Sequence, residues 1–417
     1  MVINMKINNA EILCVGTEIL IGDIVNTNAA YISEKLALMG ISQYYQAVVG
    51  DNPERLKKAI TGALQRCDLL IMSGGLGPTY DDLTKETAAS CMGRRLFLNE
   101  EALRRMKVRF EMRGRVMTKN NEKQAYIPEG STVFQNDAGT APGCAIEDFE
   151  NGKIVIMLPG PPFELKKMFS EQVIPYLQKF TDRHFISRNV NIFGMGESEV
   201  EARLKELMES STNPTVAPYC GDGEVRLRVT ASAKTAEECE LLVAGAIERI
   251  MRSEVAPYVY GVDTDLAKAV VSRYAERGKT LAIAESCTGG LISKRVTDVS
   301  GSSQILGYGC VTYANEAKVK LLKVKEETLK AYGAVSEQTA AEMANGVRAL
   351  AGADVGIATT GIAGPGGGTP EKPVGLVYLG VASEKGTRVI RLMLPGDRDR
   401  VRILASSNAL SEALKEI

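Results

Sequence analysis

Two spacings of apolar residues alternate along the first 180 positions of this chain. Short uninterrupted apolar runs read as buried strands, and stretches with apolar residues three and four apart read as one-faced helices. Glu11 to Val15, Ala47 to Val49, Leu69 to Met72 and Ile154 to Leu158 are the strand candidates. Asn26 or Thr27 is placed to cap a helix whose Ile32, Leu36 and Met39 share a face before Gly40 ends it. Pro53 suits the first turn of a helix reaching Leu64, and Asn99 to Gly114 is a third helical stretch. Fully apolar strands alternating with amphipathic helices predict a parallel sheet covered on both faces.

The texture changes from about Arg183 to Val255. Val190 to Phe193 and Glu224 to Thr230 read as strands, and Ser198 to Met208 and Thr235 to Arg252 as helices, which predicts a small α+β unit. Gly194 to Glu197 reads only as a turn, and the GXXG clamp of a nucleic-acid-binding module is absent. Strand and helix alternate again beyond Tyr258. Asp263 or Thr264 caps a helix with Leu266, Val270 and Tyr274 that Gly278 ends; Thr280 to Ala284 is then a strand, as are Ile305 to Tyr313 and Val355 to Thr360. Helices open at Asn315 and Ser336, Val374 to Ala382 and Thr387 to Leu394 can pair, and a last helix runs from Asp397 to Lys415. The 417 residues therefore divide as 1–180, 181–256 and 257–417.

Charge and composition narrow the function. With 50 basic and 51 acidic residues there is no electrostatic footprint for nucleic acid or an anionic membrane, so a small ligand is the expected partner. No apolar segment approaches the roughly twenty residues needed to span a bilayer, and Met1 to Ala10 lacks a signal peptide's apolar centre, so a cytoplasmic location is expected. The 8 cysteines are scattered and read as reduced, mostly buried thiols. The single histidine, His184, is far in sequence from every glycine-rich corner. A lysine, tyrosine or carboxylate is then the better candidate for a catalytic base.

Two kinds of corner carry chemistry. The strand ending at Met72 runs into Ser73-Gly74-Gly75-Leu76-Gly77-Pro78-Thr79, followed by Asp81 and Asp82. Glycines let backbone amides approach a phosphate, whereas two aspartates repel it unless they hold a divalent cation or activate water. A tight turn before a well-capped helix with Asp81 and Asp82 in its acidic first turn is the plainer reading, and the pairing of the aspartates favours the functional one. Pro159-Gly160-Pro161-Pro162-Phe163-Glu164, after the strand ending at Leu158, is expected to share that pocket. The basic stretch with Arg104, Arg105 and Arg109 reads as a solvated face. The second kind of corner is Ala284-Glu285-Ser286-Cys287-Thr288-Gly289-Gly290. Ser286 can simply cap the next helix, Tyr313 can be a core aromatic, Lys318 an exposed lysine and Thr360 a turn cap. Together, at neighbouring strand ends in a histidine-free segment, they also fit a serine nucleophile with a lysine base, the amides of Cys287 and Thr288 being placed to stabilise an oxyanion.

These motifs, in this order, resemble the competence/damage-inducible protein A (CinA) family over essentially the whole chain. The carriers are Gly16-Thr17-Glu18, Asn26-Thr27-Asn28, Gly74 to Thr79 with Asp81-Asp82, Leu158 to Pro162, Ala284 to Gly290, Val311 to Tyr313, Asn315 to Lys318, Thr360 to Pro365 and Lys372 to Gly375. The resemblance implies two Rossmann-like three-layer α/β/α domains flanking a KH-like α+β domain. It implies a molybdopterin-binding-like first domain with metal-dependent ADP-ribose pyrophosphatase activity. Gly74, Gly75, Gly77, Thr79, Gly160, Pro161 and Glu164 would bind substrate there, and Asp81 and Asp82 the divalent metal. For the last domain it implies a nicotinamide mononucleotide amidase without cofactor, with Ser286 as nucleophile, Lys318 as base, and Tyr313 and Thr360 assisting. Gly289, Gly361, Gly364 and Arg402, or its rival Arg398, would bind substrate. A homodimer is the expected assembly, and the alternative function is a molybdopterin-type binding domain in a non-catalytic competence or DNA-damage accessory protein.

Overall fold

The computed structural model describes residues 5–181, 183–221 and 223–417. The chain divides into two compact units, Met1–Ile186 with Ala231–Leu241 and Ser187–Thr230 with Leu242–Ile417. The first unit is built on a six-stranded sheet in the order Ser42–Val49, Asn9–Val15, Leu69–Ser73, Lys153–Leu158, Gly143–Asp148, Thr132–Phe134. The first four strands are parallel and the last two antiparallel. Successive strand residues face opposite ways, so a strand without polar positions needs cover on both sides. Ile12, Ile71 and Ile156 accordingly join Ile32, Leu36 and Phe169 on one face, while Leu13, Leu70 and Val155 join Leu56 and Ile60 on the other. The helices start where the sequence predicts. Asn26 accepts a hydrogen bond from the amide of Ala29, Asn52 from Arg55 and Asn99 from Ala102.

The middle of the chain forms a four-stranded sheet in the order Thr215–Gly221, Glu224–Ala233, His184–Phe193, Val259–Val262, with helices Glu197–Ser210 and Ala236–Met251. Thr215–Gly221 is a strand the periodicity misses, because Pro218 and Gly221 break its apolar pattern while it still pairs antiparallel with Glu224–Ala233. Glu224 accepts a 2.5 Å hydrogen bond from the hydroxyl of Tyr260 and stands 3.9 Å from Arg295. Arg295 donates to the hydroxyls of Ser406 and Ser407, and a Cβ on neighbouring Gly223 would stand 2.5 Å from Leu404.

The last sheet has five strands in the order Leu306–Val311, Leu281–Glu285, Val355–Gly361, Leu376–Ser383, Gly386–Met393, the first three parallel and the last two antiparallel. Its two faces differ. Leu281, Ile283, Val355 and Ile357 pack with Val270, Tyr274 and Leu410, whereas Ala282, Ala284, Ala358 and Ala382 meet Met343, Ala344 and Val347. The small-residue face lets the helix Glu337–Ala351 lie close: a Cβ at Gly380 would be 2.2 Å from the carbonyl oxygen of Ala340. Asp265, rather than Asp263 or Thr264, caps the helix Leu266–Glu276. The carboxylate of Asp263 is drawn to the amide of Asn189 and the carbonyl of Thr264 to Asn191, leaving the cap to the next residue. Among the described residues no helix is long and apolar enough to cross a membrane.

Candidate active site

The strands Leu306–Val311, Leu281–Glu285 and Val355–Gly361 run parallel, so their carboxyl ends open on one side of the sheet. Ser286, the pair Thr312 and Tyr313, and the pair Thr359 and Thr360 stand there. The amide of Ser286 donates to Thr359 at 2.9 Å, and that of Thr312 to Glu285 at 2.8 Å, which ties the three ends together.

Lys318, in the helix Asn315–Leu322, is fully buried, and its Nζ lies 3.2 Å from Ser286 Oγ. The same Nζ donates to the carbonyls of Thr312 at 2.7 Å and Tyr313 at 3.1 Å. Burial lowers its pKa from the ordinary lysine value, with the nearby Cys287 and Glu316 opposing the shift. A neutral amine has two N–H groups and one lone pair. Two backbone carbonyls take the N–H groups, and the lone pair is left for the Ser286 hydroxyl proton. The neighbouring thiol does not compete: burial pushes Cys287 up to about 12, so it stays protonated.

The turn after Ser286 is closed by Gly289 N donating to Ser286 O at 3.1 Å, and Gly289 and Gly290 have φ of +60° and +92° that side-chain-bearing residues rarely adopt. Thr288 Oγ1 pairs with Thr359 Oγ1 at 2.8 Å, and Arg402 donates to the Thr288 carbonyl through Nε at 3.2 Å and Nη2 at 2.9 Å. Arg398 donates to Gly364 O at 2.9 Å and to the Tyr313 hydroxyl at 3.4 Å. Both arginines thus reach the corner, but they hold backbone and tyrosine oxygens. Tyr313 gives its carbonyl to Lys318 while its ring is exposed. Thr360 faces elsewhere, its hydroxyl donating to Ala334 O at 2.7 Å, because adjacent strand residues point apart and Thr359 is the one turned to Thr288. Gly361 continues the strand and pairs with Val377.

The first unit has a separate cleft of about 540 Å³ between its two glycine corners. All nine residues assigned to the front site line it: Gly74, Gly75, Gly77, Thr79, Asp81, Asp82, Gly160, Pro161 and Glu164. Glu18 and Asp51 add two more carboxylates, and among the described residues no lysine, arginine or histidine lines the wall. Asp81 and Asp82 precede the helix Thr84–Cys91 rather than joining its first turn. Asp82 accepts from the amide and hydroxyl of Thr79, and Lys123 donates to the carbonyls of Thr79 and Asp82 beside them. The described residues contain no group of three His, Cys, Asp or Glu side chains that could hold a metal. The basic stretch lies along another groove, where Arg105 pairs with Asp137 and Arg109 donates to the carbonyls of Asp137 and Ala138.

Sequence reasoning missed three buried polar residues. Lys85 is buried behind the front turn, donates to Gln124 O at 2.6 Å and has its pKa lowered by burial to about 8. Thr312 is fully buried and presents its carbonyl to Lys318. Glu285, immediately before Ser286, is also fully buried. An acidic residue closing an apolar strand is the one signal that could have flagged it.

Comparison with known proteins matches three successive segments of the chain. Residues 263–417 match the family described as CinA C-terminal domain, 11–179 that described as "Probable molybdopterin binding domain", and 187–261 the Damage-inducible protein CinA KH domain. A CinA-like protein of Dictyoglomus turgidum is 50% identical over 401 residues, covering 96% of this chain and 97% of its own. One of Kosmotoga olearia is 50% identical over 402 residues, with the same coverage of 96% and 97%. The solved structure of competence/damage inducible protein CihA from Agrobacterium tumefaciens is 42% identical over 36% of this chain and 93% of its own, with a TM-score of 0.35. Half identity over nearly the full length, with three family segments in the same order, means that this chain belongs to the CinA family.

Proposed function

We propose that the last domain hydrolyses the carboxamide of nicotinamide mononucleotide to the acid and ammonia. The observation that carries this reading is the 3.2 Å approach of a fully buried lysine amine to a serine hydroxyl at a parallel-sheet corner. Ser286 Oγ attacks the carboxamide carbon as its proton passes to Lys318 Nζ. The tetrahedral oxyanion is met by the amides of Cys287 and Thr288. Lys318 then gives its proton to the departing nitrogen, and ammonia leaves an acyl-serine. A water deprotonated by the same amine attacks the ester carbon, and Lys318 returns that proton to Ser286 Oγ as the acid leaves. Arg398 and Arg402 supply positive charge for the substrate phosphate at the mouth of the site. Ammonia release from nicotinamide mononucleotide by wild type and Ser286→Ala tests this; undiminished release by the variant would sink the nucleophile assignment.

For the front cleft we propose metal-dependent hydrolysis of ADP-ribose, which would place both activities in pyridine-nucleotide recycling in the cytoplasm. The wall offers hard oxygen donors, and a divalent cation such as Mg²⁺ is commonly held by one or two carboxylates, water and substrate phosphate. Asp81 and Asp82 would hold it, and when bound it supplies the positive charge a diphosphate needs in a cleft lined by five carboxylates. The glycine floor lets the diphosphate lie against backbone. Cleavage of ADP-ribose that needs added Mg²⁺ and stops with EDTA supports this reading. Pterin binding without cleavage would favour the molybdopterin-type alternative.

A further inference from the structure

We infer that Glu285 is a positioning residue for the nucleophile, acting by clasping shut the turn that presents Ser286. This rests on the amidase reading of that corner. The Glu285 side chain has no exposed surface. Its Oε2 accepts from the amide of Ile292 at 3.0 Å, and its Oε1 from the amide of Ser293 at 2.9 Å and the Ser293 hydroxyl at 2.7 Å. Those donors lie seven and eight residues downstream, at the start of the helix Leu291–Thr297. One side chain therefore closes a loop holding Ser286, Cys287, Thr288 and two glycines of positive φ. Left open, that glycine-containing loop would have more backbone freedom than any other part of the corner.

The clasp also reaches the base. The backbone carbonyl of Glu285 accepts from Thr312, whose own carbonyl accepts from Lys318. Glu285 thereby sits at the joint between the segment carrying the nucleophile and the one carrying the lysine. Burying a carboxylate is costly, and three donors to its charged form offset that cost. Volume alone would be filled as well by an apolar side chain. Only an acceptor on both oxygens can hold both amides, and an amide side chain would turn an N–H toward one of them.

Glu285→Gln tests the assignment with nearly unchanged volume. The expected result is a fall in kcat of about 100-fold with the KM for nicotinamide mononucleotide within about threefold, as for a misplaced reacting group. The acid limb of the pH profile should stay where wild type has it, because Lys318 is untouched. Ser293→Ala, which removes one of the three donors, should lower kcat several-fold in the same direction. The rate at which a fluorophosphonate labels Ser286, followed by mass spectrometry, should fall in both variants. Labelling needs no natural substrate, so it separates this inference from the substrate assignment: wild type that labels at Ser286 but releases no ammonia refutes the substrate alone. Unchanged labelling and kcat in Glu285→Gln would overturn the positioning role. Should Glu285→Gln fail to fold, a folded Ser293→Ala with wild-type labelling and kcat overturns it equally.

Discussion

The two glycine-rich corners share a scaffold and differ in who supplies the charge. Each follows a parallel strand at the carboxyl edge of its sheet. At the rear corner the protein brings its own cation precursor, a lysine sealed beside Ser286, and closes the turn with Glu285, Thr359 and Arg402. At the front corner the described wall carries five carboxylates and no basic side chain, while Lys123 gives its ammonium to the carbonyls of Thr79 and Asp82. The difference teaches that a strand-turn-helix corner sets only a location. Its chemistry is fixed by what the neighbouring strands and helices bury against it.

The contrast predicts that rear variants abolish one activity and leave the other intact. Ser286→Ala should reduce ammonia release by about 10⁴-fold or more, with ADP-ribose hydrolysis unchanged. Lys318→Met should cost about 10²–10⁴-fold, the range for losing a general base. Asp81→Asn with Asp82→Asn should reverse the pattern, lowering ADP-ribose hydrolysis about 100-fold at fixed Mg²⁺ while ammonia release stays at wild-type rate. The pH profile sharpens the comparison further. Lys318 must be neutral to accept a proton and burial lowers its pKa, so amidase kcat/KM should rise with pH through that lowered value and lose activity on the acid side. The smallest effect belongs to Cys287→Ala, expected within about threefold of wild type because its thiol stays protonated to about pH 12. A dead Cys287 variant beside a live Ser286 variant would reverse the assignment.

Much of the fold is legible along the chain because its strands are uninterrupted and its helices carry their own caps, as at Asn26, Asn52 and Ser336. What escapes is decided by partners distant in sequence. Asp263 loses the helix cap to Asp265 because Asn189 claims its carboxylate, and Thr215–Gly221 becomes a strand through its neighbour in the sheet. The rear site follows the same rule. Ser286 and Lys318 can be named from strand ends, and the structure brings them together. Which of two adjacent threonines turns to Thr288, and that both arginines grip oxygens of the corner, depends on side-chain direction that no spacing encodes. Glu285 is hidden for a related reason, since two of its three donors are backbone amides, which leave no trace in residue type.

The hairpin that delivers Glu224 to Arg295 and Tyr260 has a practical bearing on how the last domain can be handled alone. A fragment cut near residue 263 would keep Arg295 with its serines but lose the carboxylate beside it and the backbone lying on Leu404. Its new surface would join an unmatched cation to an uncovered leucine at the helix that also carries Arg398 and Arg402. Such a fragment should be more prone to self-association than the full chain, and more responsive to added salt. Retaining residues from Ser187 onward, or changing Leu404 to a polar residue, is the corresponding remedy.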